Sequence, residues 1–197
     1  MVREVERTAK NFFDGNGLAL LGSNLLMGTL LNLVPRWSLS VFLFFMVITL
    51  IETVIAWVWW KKGMEIVRFN SLTAFLLLAT IGLFGVFPLF RMIQGILFWL
   101  VLIIYLLVAF YALYRKELIF QAFHNPRESK LIYGIFGVFF VFLILGAFSF
   151  RNGQEMVILA SLNDHQGALY VAGFAYALGL FFTFISTALL KKPSEIK

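Results

Sequence analysis

Long apolar runs separated by short polar gaps make up most of this chain. Six runs can be marked: Gly17 to Val34, Trp37 to Trp60, Ser71 to Phe90, Met92 to Leu113, Leu131 to Phe150, and Ala168 to Leu190. Each is 18 to 24 residues long. As a helix, each covers about 27–36 Å, enough for a hydrocarbon core of about 30 Å. The pattern predicts an all-α polytopic membrane protein with six transmembrane helices.

The gaps add direction. Their Lys and Arg counts run 3, 1, 3, 1, 4, 1, 3 from the first gap to the last, which puts 13 on one side and 3 on the other. Cytoplasmic loops of membrane proteins carry the basic excess. The alternation therefore predicts six crossings as three hairpins, 17–60, 71–113 and 131–190, with both termini cytoplasmic. Residues 1–16 form an N-terminal cytoplasmic segment, 17–192 the transmembrane domain and 193–197 a short cytoplasmic tail.

Composition narrows the class. An apolar fraction of 61% with 13% charged residues excludes a disordered chain and an ordinary soluble domain. The net charge of +6 is accounted for by basic gaps facing anionic headgroups, so the expected partner is the lipid bilayer and not nucleic acid. Cysteine is absent, which removes disulfides and thiolate metal sites. His124 and His165 fall on opposite predicted sides of the membrane, so they cannot share an intrachain metal. No cofactor is expected. Met1 to Asn16 has no apolar core of its own and does not read as a cleavable signal peptide, which leaves the first span as an uncleaved anchor.

Within the N-terminal segment, Val2, Val5, Ala9 and Phe12 recur at helical spacing while Arg3, Arg7 and Lys10 occupy another face. This predicts a short amphipathic helix on the inner leaflet, with a solvated tail as the alternative. Asp14-Gly15-Asn16-Gly17 signals a turn. Pro35-Arg36 and Arg91 form tight outer turns, Arg151 to Gly167 a longer outer loop, and Trp57, Trp59 and Trp60 an inner aromatic belt.

A faint repeat links the hairpins. Gly28 precedes Pro35, Gly82 precedes Pro88 and Gly146 precedes Gly153, each pair bracketing an outer helix end, while Lys61-Lys62, Arg115-Lys116 and Lys191-Lys192 close the hairpins. With Ile81-Gly82-Leu83-Phe84-Gly85-Val86-Phe87-Pro88 as the nearest local match, Leu18 to Lys192 resembles the HdeD-type acid-resistance membrane proteins and their relatives. That resemblance implies three tandem hairpins and an acid- or stress-related role. The chain departs from the pattern at Gly153, in its long third outer loop, and in the few glycines on the second helix of each hairpin.

Glu52 is the charged residue set well inside a span, and a carboxylate there is expected to face protein or water and to find a partner. Asn24 lies at matching depth on the first span. Thr80, Tyr105 and Thr183 fall near the same level, giving a predicted intramembrane polar layer of Glu52, Asn24, Thr80, Tyr105 and Thr183. Two roles are open: a site that holds a proton or small cation with Glu52 titrating, or a protonated Glu52 bonded to Asn24 as helix glue. Ala168, Ala172, Ala175, Gly179, Thr183 and Ser186 form a small-residue stripe suited to close helix packing. Asn24, Gly28 and Asn32 form a shorter one. Asp164-His165 reads as a polar outer loop or a pH-sensing cap.

No catalytic set occurs at matched depth, so the expectation is a non-enzymatic protein of the inner or plasma membrane with a structural or modulatory role. Two alternatives stay open. One is a small transporter or the membrane-embedded substrate-binding subunit of one. The other is an immunity or signalling protein acting through a partner membrane protein or a second copy of itself.

Overall fold

The computed structural model of the chain describes residues 6–148 and 159–191. Among them the regular elements are all helices: α1 (Ala9–Phe12), α2 (Leu18–Asn32), α3 (Leu39–Lys61), α4 (Ile66–Met92), α5 (Ile96–Tyr114), α6 (Lys116–His124), α7 (Lys130–Phe148) and α8 (Asp164–Ser186). A 3-10 turn, Thr187–Leu190, continues α8. Helices α3, α4, α5 and α8 with its terminal turn are long and apolar enough to cross a membrane. That is four of the six predicted spans. The others fall short for different reasons. Helix α2 has 15 residues, and its sequence mixes Ser23, Asn24 and Asn32 among the leucines. Helix α7 carries its apolar segment to Gly146, and the predicted span beyond Phe148 lies outside the described residues.

Four places differ from the sequence reading. The N-terminal amphipathic helix contracts to α1: residues 6–8 are not helical, Thr8 caps the helix by accepting from the Asn11 amide, and Val2 and Val5 lie outside the described residues. The Asp14–Gly17 turn is a π-turn, Phe13–Gly17, kinked at Gly15. Its Gly17 lies beneath the Phe12 ring, which leaves no room for a side chain.

Pro88 does not mark an outer turn. It is buried inside α4, which runs on to Met92, and the chain reverses at Ile93–Gly95, where Gly95 takes a φ of 66°. The fixed φ and absent N–H of proline are tolerated in membrane helices when neighbours satisfy the freed carbonyl. At the third turn, α8 begins at Asp164 and not Ala168. Asn163 and Gln166 make a reciprocal capping box, so Asp164 and His165 are first-turn helix residues and not loop. The spacing Asn163-x-x-Gln166 is a readable signature of that start.

Helix α4 is the centre of the fold, and its main partner is α8, not its sequence neighbour α5. The contact is made by glycine. A Cβ on Gly85 would sit 2.9 Å from the Ala175 carbonyl oxygen, and one on Gly179 would sit 2.6 Å from that of Gly82. Real side chains do not tolerate such distances, so the two backbones touch. Ala172, Ala175, Gly179, Thr183 and Ser186 of the predicted stripe are buried there, while Ala168 is half-buried. Helices α2 and α3 pack on the other side of α4. Phe45 stacks on Phe84 with ring centres 4.1 Å apart, and both rings lie over Gly28. On α8 rest α5, through Tyr176 donating to the Val101 carbonyl at 2.7 Å, and α7, through Phe139 and Phe142 against Phe181.

Helix ends gather in two groups. Arg91, closing α4, bonds the segment between α2 and α3, and a cavity joins that segment to the start of α8. At the opposite end Arg7 bonds the turn between α3 and α4, and Arg68 bonds the last turn after α8. Trp60 is buried in this second group, between Phe12, Phe69 and the Arg7 guanidinium. It is therefore a core residue, where the sequence reading placed it in an aromatic belt.

The glycine contact predicts a sharp contrast between two substitutions on α8. Gly179→Ala should lower stability by about 1–3 kcal/mol, because the added methyl must push α4 away. Gly173→Ala meets open space and should be neutral or stabilising by up to about 1 kcal/mol. Melting temperatures of the two purified variants in detergent check this; equal values would show that α4 and α8 are not in backbone contact.

Candidate functional site

The buried polar groups of the bundle sort themselves by face. Thr49, Thr53 and Thr73 donate to carbonyls one turn back on their own helices, at 2.8–2.9 Å. This common habit of helical threonine removes them from any shared site. What remains on the α2–α3–α4 side is Asn32, at the end of α2, and a group of Asn24, Glu52 and Thr80, one from each helix and all buried.

Asn24 Nδ2 donates to Glu52 Oε2 at 2.9 Å, and the Thr80 hydroxyl donates to Glu52 Oε1. The matching depth inferred from sequence for Asn24 and Glu52 is thus a direct contact. Both carboxyl oxygens are occupied, each by a neutral donor from a different helix. Among the described residues no cation pairs with Glu52. Asn24 Oδ1 is buried and has no hydrogen-bond partner among them either. The trio is a junction of three helices with one acceptor left over.

Tyr105 and Thr183 do not join it. Successive residues on a helix turn by about 100°, so Thr80 and Gly82 point to nearly opposite faces of α4. Gly82 meets Thr183 on α8, and Tyr105 of α5 approaches Thr183 from beyond without satisfying its buried Oγ1. The predicted single layer is therefore two clusters separated by α4. Depth along a helix can be counted from sequence, but the rotation of one helix against another depends on packing.

A residue missed by the sequence reading is Arg91. Counted there as an outer-loop charge, its guanidinium instead closes the end of α2. It donates to the carbonyls of Asn32 at 3.1 Å, Val34 at 3.0 Å and Arg36 at 2.5 Å, and to Asn32 Oδ1 at 3.3 Å. The last turn of a helix leaves four carbonyls without intrahelical partners, and α2 has no glycine cap to satisfy them. Asn32, on the short stripe, also donates to the Ser38 carbonyl at 3.0 Å. The hint in the sequence was a polar Asn at the end of an apolar helix with no capping glycine after it.

His124 and His165 lie in the last turn of α6 and the first turn of α8. Among the described residues no group of three or more His, Asp or Glu is placed to hold a metal. Asp164 and His165 are exposed. Asp164 borders a cavity of about 320 Å³ with Pro35 and Ala168. Compared with family models, curated proteins and solved structures, the chain matches none.

The trio predicts non-additive energetics. Glu52→Leu removes the acceptor of two buried donors and should cost about 1–3 kcal/mol. Pairing it with Asn24→Leu removes one orphaned partner as well, and the double variant should be more stable than the sum of the single effects allows. Thermal denaturation of the four species in one detergent measures the coupling. Simple additivity would mean that the two side chains do not meet.

Proposed function

We propose that this chain is a non-enzymatic multi-pass protein of the cell membrane, crossing six times with N- and C-termini cytoplasmic, with a structural or modulatory role in the bilayer. Four helices of spanning length support the membrane assignment. The alternation of helix directions and the 13-to-3 division of basic residues support the orientation. Helices α2 and α7 supply the remaining two crossings. The link to acid or stress survival rests on the resemblance to HdeD-type proteins.

The observation that carries the structural role is the Asn24–Glu52–Thr80 junction. Its donors and carboxyl oxygens are spent on one another, joining three helices. Such interhelical bonds hold a bundle together where the hydrophobic effect cannot. The transporter reading has one observation in its favour, an Asn24 Oδ1 beside a carboxyl group and without a hydrogen-bond partner among the described residues.

Two experiments test the proposal. Reporters fused after Lys62 and Lys116 should read cytoplasmic, and reporters after Arg36 or near Asp164 external; one reversed result breaks the six-crossing scheme. For the role of Glu52, a deletion strain is complemented with wild type or Glu52→Gln at equal protein level, and survival is followed against external pH. Gln keeps the size, can accept from Asn24 through its one oxygen and can donate its amide to the Thr80 hydroxyl oxygen, but cannot titrate. The structural role predicts superimposable curves; loss of acid survival with the protein still folded would establish proton handling in its place.

A further inference from the structure

At the end of the bundle where α4 begins and α8 finishes, the nine-residue α6 lies against the 3-10 turn that ends α8, with Ile119 packed on Ala112 and Ala188. Between α6, α4 and that turn is a cavity of about 370 Å³, walled by Val67, Leu78, Phe120, Phe123, Ile185 and Leu189. Its volume is within the range of pockets that hold small ligands, about 300–1,000 Å³. Two polar side chains reach it, Ser71 and Lys191, and both are engaged. The Ser71 hydroxyl donates to the Leu189 carbonyl at 2.6 Å, and Glu117 holds the Lys191 ammonium at 2.8 Å. The backbone is closed as well: the Lys191 N–H donates to the Ala188 carbonyl at 3.4 Å, and Arg68 to the Leu190 carbonyl at 2.9 Å. A helix end ordinarily leaves its last carbonyls to water. Here protein donors take them, so an occupant of the cavity need bring no polar group, and water finds too few partners to be held.

The shape narrows the class of ligand further. Ser71 and Leu78 stand four and eleven residues beyond Val67, on one face of α4, so the cavity follows that helix for about 16 Å. This is about half of a hydrocarbon core of about 30 Å, the depth of one leaflet. The shallow end is the open one: Val67 is 59% exposed and Phe123 44%, while Leu78 and Ile185 at the other end are half-buried. Helix α6 supplies the level. It is amphipathic, with Ile119 and Ala122 buried and Lys116, Glu117 and His124 exposed, and such a helix lies at the boundary between headgroups and acyl chains.

We infer that this cavity takes one acyl chain of a membrane phospholipid, entering between Val67 and Phe123 and ending at Leu78, with no choice of headgroup. The inference rests on the membrane assignment proposed above. The observation that carries it is the coincidence of an apolar slot one leaflet long with a helix end whose carbonyls are already covered by protein donors. An open lipid-facing surface such as that of α5 has neither side walls nor an end. This slot has both, so a chain lodged in it exchanges more slowly than its neighbours.

The test uses the full-length protein in detergent with phosphatidylcholine or phosphatidylglycerol carrying a photoactivatable diazirine at the end of one acyl chain, cross-links being mapped by peptide mass spectrometry. Labelling should concentrate on the peptides holding Leu78 and Ile185, saturate with added lipid, and be equal for the two headgroups. Val67→Trp, at an exposed position and so tolerant of bulk, should close the mouth and remove this labelling without lowering the melting temperature. Leu78→Phe fills the deep end alone: a diazirine at the chain's end should lose its cross-links there, while one at mid-chain still marks Phe120 and Phe123. Labelling as dense over α5 as over the slot would overturn the inference. So would labelling indifferent to both substitutions, a headgroup preference of about tenfold or more, the size of one charge-assisted bond, or labelling that appears only once residues 193–197 are removed, which would give the cavity to the chain's own tail. Release of the protein from membranes by alkaline carbonate without detergent would instead defeat the membrane assignment.

Discussion

The direct contact between the backbones of α4 and α8 sets the geometry of everything else. Helices in lipid gain little from the hydrophobic effect, because hydrocarbon tails are as apolar as leucine; dispersion at short range and interhelical bonds are what associate them. Gly82, Gly85 and Gly179 remove the side chains that would otherwise hold the two axes apart. Closeness here also fixes which faces remain for other partners. Helix α4 offers α2 and α3 the face carrying Thr80, and α8 offers α5 and α7 its aromatic flank. A bundle built this way has a stiff central pair and lighter outer helices, and α5 shows it by burying little of its length.

A second constraint acts at the helix ends. Carbonyls of a last turn have no partner in their own helix, and near a membrane they cannot rely on water throughout. Arginine satisfies carbonyls at or just beyond helix ends three times: Arg7 on the Met64 carbonyl in the turn after α3 at 2.6 Å, Arg68 on that of Leu190 at 2.9 Å, and Arg91 on those of Asn32, Val34 and Arg36 at and after the end of α2. Five N–H groups on a rigid plane suit this work better than a lysine ammonium. Arg7 and Arg68 stand in gaps that hold three basic residues each, and Arg91 is alone in its gap.

How much of this could be read from the sequence follows the range of the interaction involved. Apolar length and helix content are local, so the long helices were legible within a few residues; on α8, Ala175 and Gly179 of the small-residue stripe lie against Gly82 and Gly85 of α4. Asn24 and Glu52 were legible too, because a short turn between two antiparallel helices makes depth countable. Rotation was not. Thr183 shares a depth with Thr80 yet faces the opposite side of α4, and nothing in the spacing of either helix states how it is turned against its neighbours. Pro88 misled for a related reason. Proline signals a helix end only where its missing N–H goes uncompensated, and here it is buried within a helix that continues past it. The partner of the stripe lay beyond reach, since α4 and α8 are distant in sequence.

These two faces of α4 do different physical work. Small residues facing small residues reward closeness but discriminate weakly between neighbouring registers, since sliding by one turn brings another alanine or glycine into a similar place. A hydrogen-bonded junction discriminates strongly: moving α2 or α3 by one turn would carry Asn24 or Thr80 about 5 Å from Glu52 and leave buried polar groups unpaired. Affinity between helices therefore comes mainly from the glycine face and register from the polar face. That division explains why a bundle would retain a carboxyl group where leucine would pack without desolvation cost. It also locates the place where a change in Glu52 would be felt. The α4–α8 contact does not depend on it, so a change at this carboxyl alters how α2 and α3 sit against an otherwise intact core.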